Sequence, residues 1–441
     1  MRMPTIIAPS RRQLLAGGSL AFAAATLGGP ARAALPPVKT KARIVIAGAG
    51  AAGLSAAARL SQRLDGAQIT LIDARREHLY QPGFTLVAAG LKPGGYTVSS
   101  TASYVPAGAT LIEEAVAEID PEGRTVKTAS GRSIGYDFLI VATGLQLDYA
   151  AIAGMDTKLI GSNGIGSVYA GPALAEATWR ELSRFADKGG VGLFLRPATE
   201  MKCAGAPLKY TFIADDHLRR RGNRGRAELI YAAPASALFS VPIVSEKVRM
   251  LFQDRGVKVS YDHVMTAIDP GSRVATFKTP KGTQEIRYDF VNVIPPMRAP
   301  DAVRNSPLPW REGPFAADGW MEVDRGTLRH RRFRNVFGVG DIAGVPKGKT
   351  AASVKWQVPV AIDHLVADIA GTVSTARYNG YTSCPLITRI GRAMLVEFDY
   401  DNNLITSFPG IVAPLEELWV SWVVKEIALK PTYLAMLRGQ A

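Results

Sequence analysis

The stretch Gly48-Ala49-Gly50-Ala51-Ala52-Gly53 limits the fold more than any other part of this chain. It follows Ala42-Arg43-Ile44-Val45-Ile46-Ala47, which reads as a buried parallel strand. It opens onto a helix pattern, Leu54-Ser55-Ala56-Ala57-Ala58-Arg59-Leu60. Glycines at that spacing permit a tight turn, a close backbone approach to a pyrophosphate, and tight packing of helix on strand. The helix N-terminus then faces the phosphates with free N–H groups. About twenty residues on, Gln68-Ile69-Thr70-Leu71-Ile72-Asp73 reads as a second strand whose final acid suits a ribose hydroxyl. The pattern predicts a strand–helix–strand dinucleotide site built on Gly48, Gly50, Ala51, Gly53 and Asp73.

Two later segments bear on which dinucleotide. Asp137-Phe138-Leu139-Ile140-Val141-Ala142-Thr143-Gly144 and Asn335-Val336-Phe337-Gly338-Val339-Gly340-Asp341 are apolar strands ending in Thr-Gly and Gly-Asp. Both resemble marks of the glutathione-reductase-like flavoproteins, which have two Rossmann-like dinucleotide domains. The resemblance implies FAD, with Thr143, Gly144, Gly340 and Asp341 along it and Asp341 near the ribityl–phosphate region. It also implies a helix from about Lys349-Thr350-Ala351-Ala352 whose N-terminus faces the flavin ring, where its dipole favours negative charge. A chain of 441 residues is long enough for such a two-domain α/β protein.

The middle of the chain departs from that pattern. Val191-Gly192-Leu193-Phe194-Leu195 reads as the first strand of the second dinucleotide domain, where a glycine-rich loop for a nicotinamide nucleotide would follow. Instead the chain continues through Glu200-Met201-Lys202-Cys203-Ala204-Gly205-Ala206-Pro207-Leu208-Lys209. A later strand, Glu228-Leu229-Ile230-Tyr231, runs into Ala232-Ala233-Pro234 and offers no acid for a ribose. The nicotinamide site reads as lost, with Cys203 in its place. The chain has one other cysteine, Cys384, in Tyr381-Thr382-Ser383-Cys384-Pro385. The expectation is that the fold brings both sulfurs to one flavin, with Lys202 and Lys209 lowering the thiol pKa and attracting anions. One structural disulfide and two plainly solvated lysines are the competing readings. None of the five histidines has metal-ligand spacing, so no metal is expected.

The N-terminus points to an exported protein and the C-terminus to a membrane surface. Ser10-Arg11-Arg12-Gln13-Leu14-Leu15, a run rich in Ala and Gly, and Ala31-Arg32-Ala33 form a twin-arginine leader with a small-x-small cleavage signal, predicting a periplasmic location. The net charge is +14, part of it from Arg2, Arg11, Arg12 and Arg32 in the leader. Without a nucleic-acid fold signature, the excess suits anionic lipid or small anions rather than nucleic acid. Arg219-Arg220-Arg221 and Arg329-His330-Arg331-Arg332 read as solvated runs. At the C-terminus, Leu415 to Lys430 is helical in pattern with Trp419, Trp422 and flanking lysines, and Tyr433 to Arg438 follows Pro431. Charges interrupt both stretches, so a helix pair lying in the membrane headgroup region is expected rather than a span. The alternative is a helix packed on the protein's own core. The expected layout is a leader at 1–33, a flavin domain in two parts at 41–155 and 296–375, a second Rossmann-like domain at 156–295, and a cysteine-bearing membrane-interface region at 376–441.

Taken together, Tyr80-Gln81-Pro82, Thr143-Gly144, Lys202-Cys203-Ala204-Gly205-Ala206-Pro207, Gly340-Asp341 and Tyr378-Asn379-Gly380-Tyr381-Thr382-Ser383-Cys384-Pro385 resemble the sulfide:quinone oxidoreductase family, in its two-cysteine form similar to the mitochondrial enzyme. The resemblance covers nearly all of the chain after the leader. It implies that Gln81 lies at the cofactor, and that sulfide attacks a disulfide or trisulfide at Cys384. Cys203 then passes two electrons through FAD to a quinone, and the sulfur leaves to sulfide, sulfite or a thiol. It also implies non-covalent FAD, because Tyr80-Gln81-Pro82-Gly83-Phe84-Thr85 holds no cysteine that could tether one. A twin-arginine leader is more typical of the flavoprotein subunit of flavocytochrome c sulfide dehydrogenase, which makes a cytochrome the alternative acceptor. A type II NADH:quinone reductase shares the fold but needs the missing second glycine loop. A sulfane-sulfur carrier or sensor without turnover is the non-enzymatic alternative.

Overall fold

The computed structural model describes residues 36–410 and 412–441, so the leader expected at 1–33 lies outside the described residues. Two five-stranded parallel sheets organise the chain. In the first, the order is Val336–Gly338, Phe138–Val141, Arg43–Ala47, Gln68–Ile72, Thr110–Ile112. These strands are continuous apolar runs because both faces are covered, as parallel sheets require. The order reverses beside Arg43–Ala47, which places a crevice at the carboxyl ends of that strand and of Phe138–Val141.

The helix Ala51–Arg63 lies close on this sheet because its inner face is small. Gly48 takes φ +104°, and a Cβ there would lie 2.4 Å from the Ala142 carbonyl oxygen. A Cβ on Gly53 would lie 1.8 Å from the Gly48 oxygen, so the helix can sit where it does only with glycine at that position. Leu54 and Leu60 of this helix are fully buried, each contributing about 2 kcal/mol by removal from water.

The second sheet runs Ile165–Gly166, Phe290–Asn292, Gly190–Leu195, Ala227–Ala232, Val257–Ser260. Its central strand Gly190–Leu195 leads through the Arg196–Gly205 loop into the helix Ala206–Arg220, the place a nucleotide-binding turn takes in the first sheet. Cys384 lies on a separate antiparallel hairpin, Thr382–Arg389 with Arg392–Phe398.

Several expectations need correction. Arg219, Arg220 and Arg221 pair with Asp215, Asp216 and Asp187 at 2.7–2.8 Å, two of them through the four-residue helical spacing. Arg329 pairs with Asp368, and Arg332 with Glu322. These runs are therefore ion-paired rather than simply solvated. The C-terminal segment is one helical stretch, Trp419–Val423, a π turn Val424–Ala428, and Leu429–Leu437, which runs through Pro431. The wide turn just before Pro431 relieves the clash that its ring and missing N–H impose on a tight helix. Its lysines face inward: Lys425 Nζ donates to the Pro82 carbonyl at 2.5 Å and Lys430 Nζ to that of Tyr96 at 2.6 Å. No helix among the described residues is long and apolar enough to cross a membrane.

Gly53→Ala is expected to destabilise the protein by about 3 kcal/mol or more, because the added methyl meets backbone rather than a side chain that can yield. Urea denaturation of the purified variant checks this, and stability near wild type would contradict the packing described.

Candidate active site

The main cavity opens at the carboxyl ends of the first sheet and extends to the second domain and the C-terminal helix. The glycine turn contributes Gly50 and Ala51, the strand Phe138–Val141 leads into Thr143 and Gly144, and the helix Ala351–Ile369 presents its first residues. These groups fit a dinucleotide. A Cβ on Gly50 would meet nothing nearer than Arg75 Nη2 at 3.6 Å, and Gly144, at φ +71°, faces open space. The Thr143 hydroxyl is buried without a partner, the mark of a group awaiting a ligand.

Asp73 follows the strand Gln68–Ile72 and bonds the glycine turn. Its Oδ2 accepts the Ala49 N–H at 2.8 Å, and Arg75 grips both oxygens at 3.0 and 2.7 Å. The Arg75 guanidinium lines the cavity while Asp73 braces it from behind. Burial works against the Asp73 charge, but Arg75 outweighs it and holds the carboxyl below its ordinary pKa. Asp341 does line the cavity. Burial raises its pKa, against the charges of Lys202 and Lys349.

Lys349 and Thr350 both line the cavity. The Lys349 ammonium donates to the Asp341 and Ala343 carbonyls at 2.6 and 3.1 Å, over the Trp320 ring. The Thr350 hydroxyl caps the helix by accepting the Ser353 N–H at 3.1 Å and bonds the Thr382 hydroxyl at 2.8 Å. What this helix offers a ligand is its N-terminal backbone at Ala351 and Ala352.

At the other end of the cavity stand the two cysteines, both free thiols. Cys203 sits just before the helix Ala206–Arg220 in the left-handed region, φ +49°. That conformation costs about 1–2 kcal/mol for a residue with a Cβ. Its N–H donates to the Lys349 carbonyl at 2.9 Å. Lys209, one turn along the helix and 3% exposed, donates from Nζ to the Cys203 sulfur at 3.3 Å. Cys384 is 4% exposed, and a Cβ on Gly205 would lie 2.3 Å from its sulfur. Gly205 therefore makes the room in which Cys384 meets the Cys203 loop.

The two thiols are electrically unequal. A hydrogen bond from Cys384, then the Lys209 and Lys425 charges, carry the Cys203 pKa well below the ordinary thiol value against the cost of burial. The same hydrogen bond and burial push Cys384 up. Burial works against the Lys209 charge, yet the two sulfurs raise its pKa above the ordinary value.

Lys202 lines the cavity beside the Cys203 turn. Its Nζ donates to Gln81 Oε1 at 2.6 Å and lies 5.2 Å from the Tyr169 ring centre. Burial lowers its pKa to about 8, with Asp341 pulling the other way. The second cation at the thiols is Lys425, from the π turn of the C-terminal stretch and 3% exposed. Burial, then the Lys209 charge, bring its pKa down to about 7 while both sulfurs pull it up. Tyr433, further along, bonds His78 at 2.7 Å and lines the cavity. Neither residue was identified from sequence, where the pattern suggested lysines directed to headgroups.

This arrangement has relatives. The pyridine nucleotide-disulphide oxidoreductase family matches residues 42–171. The mitochondrial sulfide:quinone oxidoreductase of Mus musculus is 35% identical over 84% of this chain and 81% of its own length. Among solved structures, the sulfide:quinone oxidoreductase of Aquifex aeolicus superposes with a TM-score of 0.73 at 21% identity, over 91% of this chain and 92% of that one. A chain in the Tetrahymena thermophila mitochondrial ATP synthase assembly superposes with a TM-score of 0.77 at 18% identity, over 92% and 97%. At such identities the superpositions show the fold.

Two outcomes test the site's electrostatics and packing. Lys209→Met should raise the pH midpoint for alkylation of Cys203 by about one unit or more; an unchanged midpoint would deny Lys209 its role. Gly205→Ala should displace the Cys384 sulfur and weaken disulfide formation with Cys203, measured as a potential shifted by about 30 mV or more toward easier reduction; a potential equal to wild type would contradict the contact.

Proposed function

The chain belongs to the sulfide:quinone oxidoreductase family, a family of flavin-dependent oxidoreductases, and from that premise we propose that it oxidises sulfide to sulfane sulfur at Cys203 and Cys384 and delivers two electrons to a quinone. The observation that carries the reading is the unequal thiol pair, with Lys209 Nζ 3.3 Å from Cys203, in the same cavity that Gly50, Thr143 and Gly144 line.

The polarity of the pair sets the direction of exchange. In the oxidised state a disulfide joins the two sulfurs, and hydrosulfide attacks the sulfur of Cys384. The S–S bond breaks and Cys203 leaves as a thiolate, the better leaving group because its charge is already stabilised. Cys384 is left as a persulfide, its outer sulfur retaining the hydrosulfide proton. An anionic or thiol acceptor then removes that outer sulfur and frees the Cys384 thiol. A bound FAD supplies the two-electron acceptor that returns the dithiol to the disulfide and passes the pair to quinone. Arg75, Thr143, Gly50 and the N-terminal backbone of the helix Ala351–Ile369 are the groups that would hold it, without a covalent link.

Lys209 and Lys425 draw hydrosulfide inward and hold the departing thiolate. Because Lys425 titrates at about 7, part of this positive charge fades as pH rises through neutrality. Trp419, 52% exposed, and Ile427, 62% exposed, lie on the outer side of the C-terminal stretch and support contact with a membrane surface from which quinone enters. The twin-arginine leader extends the proposal to the periplasmic side of that membrane.

Treatment with about one equivalent of sulfide and no other sulfur acceptor should leave the extra sulfur on Cys384, detectable after alkylation and peptide mass analysis. Cys384→Ser should abolish turnover, by a factor of about a thousand or more, and show no persulfide. Persulfide found only on Cys203 would reverse the assignment.

A further inference from the structure

We infer that Tyr169 is a positioning residue for the thiol chemistry, its hydroxyl holding the Cys203 turn in the left-handed conformation that aims the sulfur at Lys209. Tyr169 follows the edge strand Ile165–Gly166 of the second sheet, far from Cys203 in sequence, and is 8% exposed. Its hydroxyl donates to the Lys202 carbonyl at 2.8 Å and also contacts that of Cys203 at 3.3 Å. One proton is thus shared between two successive carbonyls.

Two successive carbonyls can face a single donor only when the residue between them has a helical backbone, and at φ +49° Cys203 has the left-handed form. The hydroxyl therefore favours a conformation that the cysteine side chain opposes. In that conformation the neighbouring side chains diverge. Lys202 reaches Gln81 in the first domain, and Cys203 reaches Lys209 on its own helix. The Tyr169 ring also lies beneath the Lys202 ammonium at 5.2 Å, a contact that phenylalanine would keep. Burial, with the nearby sulfurs and Asp341, raises the phenol pKa well above its ordinary value, so the hydroxyl stays a donor across the working range.

The inference rests on the proposed role of the thiol pair, and its test separates the two. The holoenzyme and its Tyr169→Phe variant are compared by the pH profile of Cys203 alkylation and by steady-state turnover. The groups facing this thiol are Cys384 on the hairpin, Lys209 on its own helix and Lys425 on the C-terminal stretch. Lys202 and Asp341 lie within range of its charge. Without the clamp the sulfur drifts from Lys209. The alkylation midpoint is then expected to rise by about one unit and kcat to fall about ten-fold, with KM for sulfide and quinone within about two-fold of wild type. Flavin content and melting temperature should stay near wild type.

An unmoved alkylation profile overturns the clamp, and so does loss of flavin or of the fold, which would mark Tyr169 as merely structural. If wild-type enzyme fails to reduce quinone with sulfide while the variant still shifts the profile, the functional reading falls and the clamp stands.

Discussion

A lysine that is 3% exposed cannot keep its charge unless an anion lies beside it, and Lys209 has the Cys203 sulfur at 3.3 Å. At that separation, with an effective dielectric near 20, ammonium and thiolate attract by about 5 kcal/mol. The attraction has to offset the desolvation of both groups, so each ion depends on the other. The rest of the site is arranged around this pair. The helix Ala206–Arg220 places Lys209 one turn beyond the cysteine. The hairpin brings in Cys384, the space at Gly205 admits its sulfur, and the C-terminal stretch adds Lys425. A nucleotide-binding loop here would have aimed free N–H groups at phosphate. The same place in the fold now aims a sulfur at the flavin-type cavity.

The C-terminal stretch joins two tasks that its sequence pattern does not separate. On one side Lys425 and Tyr433 complete the cavity, anchored to Pro82 and His78. Burial, and secondarily Arg75, lower the His78 pKa to about 4, so it meets Tyr433 as a neutral ring. On the other side Trp419 and Ile427 remain exposed while Trp422 is buried. A segment that both closes the thiol site and faces outward ties the proposed membrane contact to the geometry of the sulfur chemistry.

Much of this was legible in the sequence because it depends on local rules. The glycine turn, the strand ends at Thr143-Gly144 and Gly340-Asp341, and the cysteine loop each carry their meaning within a few residues. The parts that were not legible depend on long-range placement. Lys425 was read with the other charges of an amphipathic helix, because periodicity says which face a residue occupies but not what that face meets. The π turn that directs it inward has no sequence signature of its own. Lys202 and Lys209 flank the same cysteine and looked equivalent, yet the left-handed turn at Cys203 sends one to Gln81 and the other to the sulfur. Tyr169 offered no local signal, since its function lies in meeting a loop far along the chain. The arginine runs misled because their partners lie one helical turn earlier or on another element, where charge counting does not see them.

The most direct measurement is anaerobic titration of the purified flavoprotein with sulfide, followed by a soluble quinone, with flavin absorbance recorded throughout. With a sulfur acceptor present, the account predicts that about one equivalent of sulfide bleaches the flavin and that quinone restores it. A flavin that stays oxidised under excess sulfide, or one that sulfide bleaches and quinone leaves reduced, would contradict it.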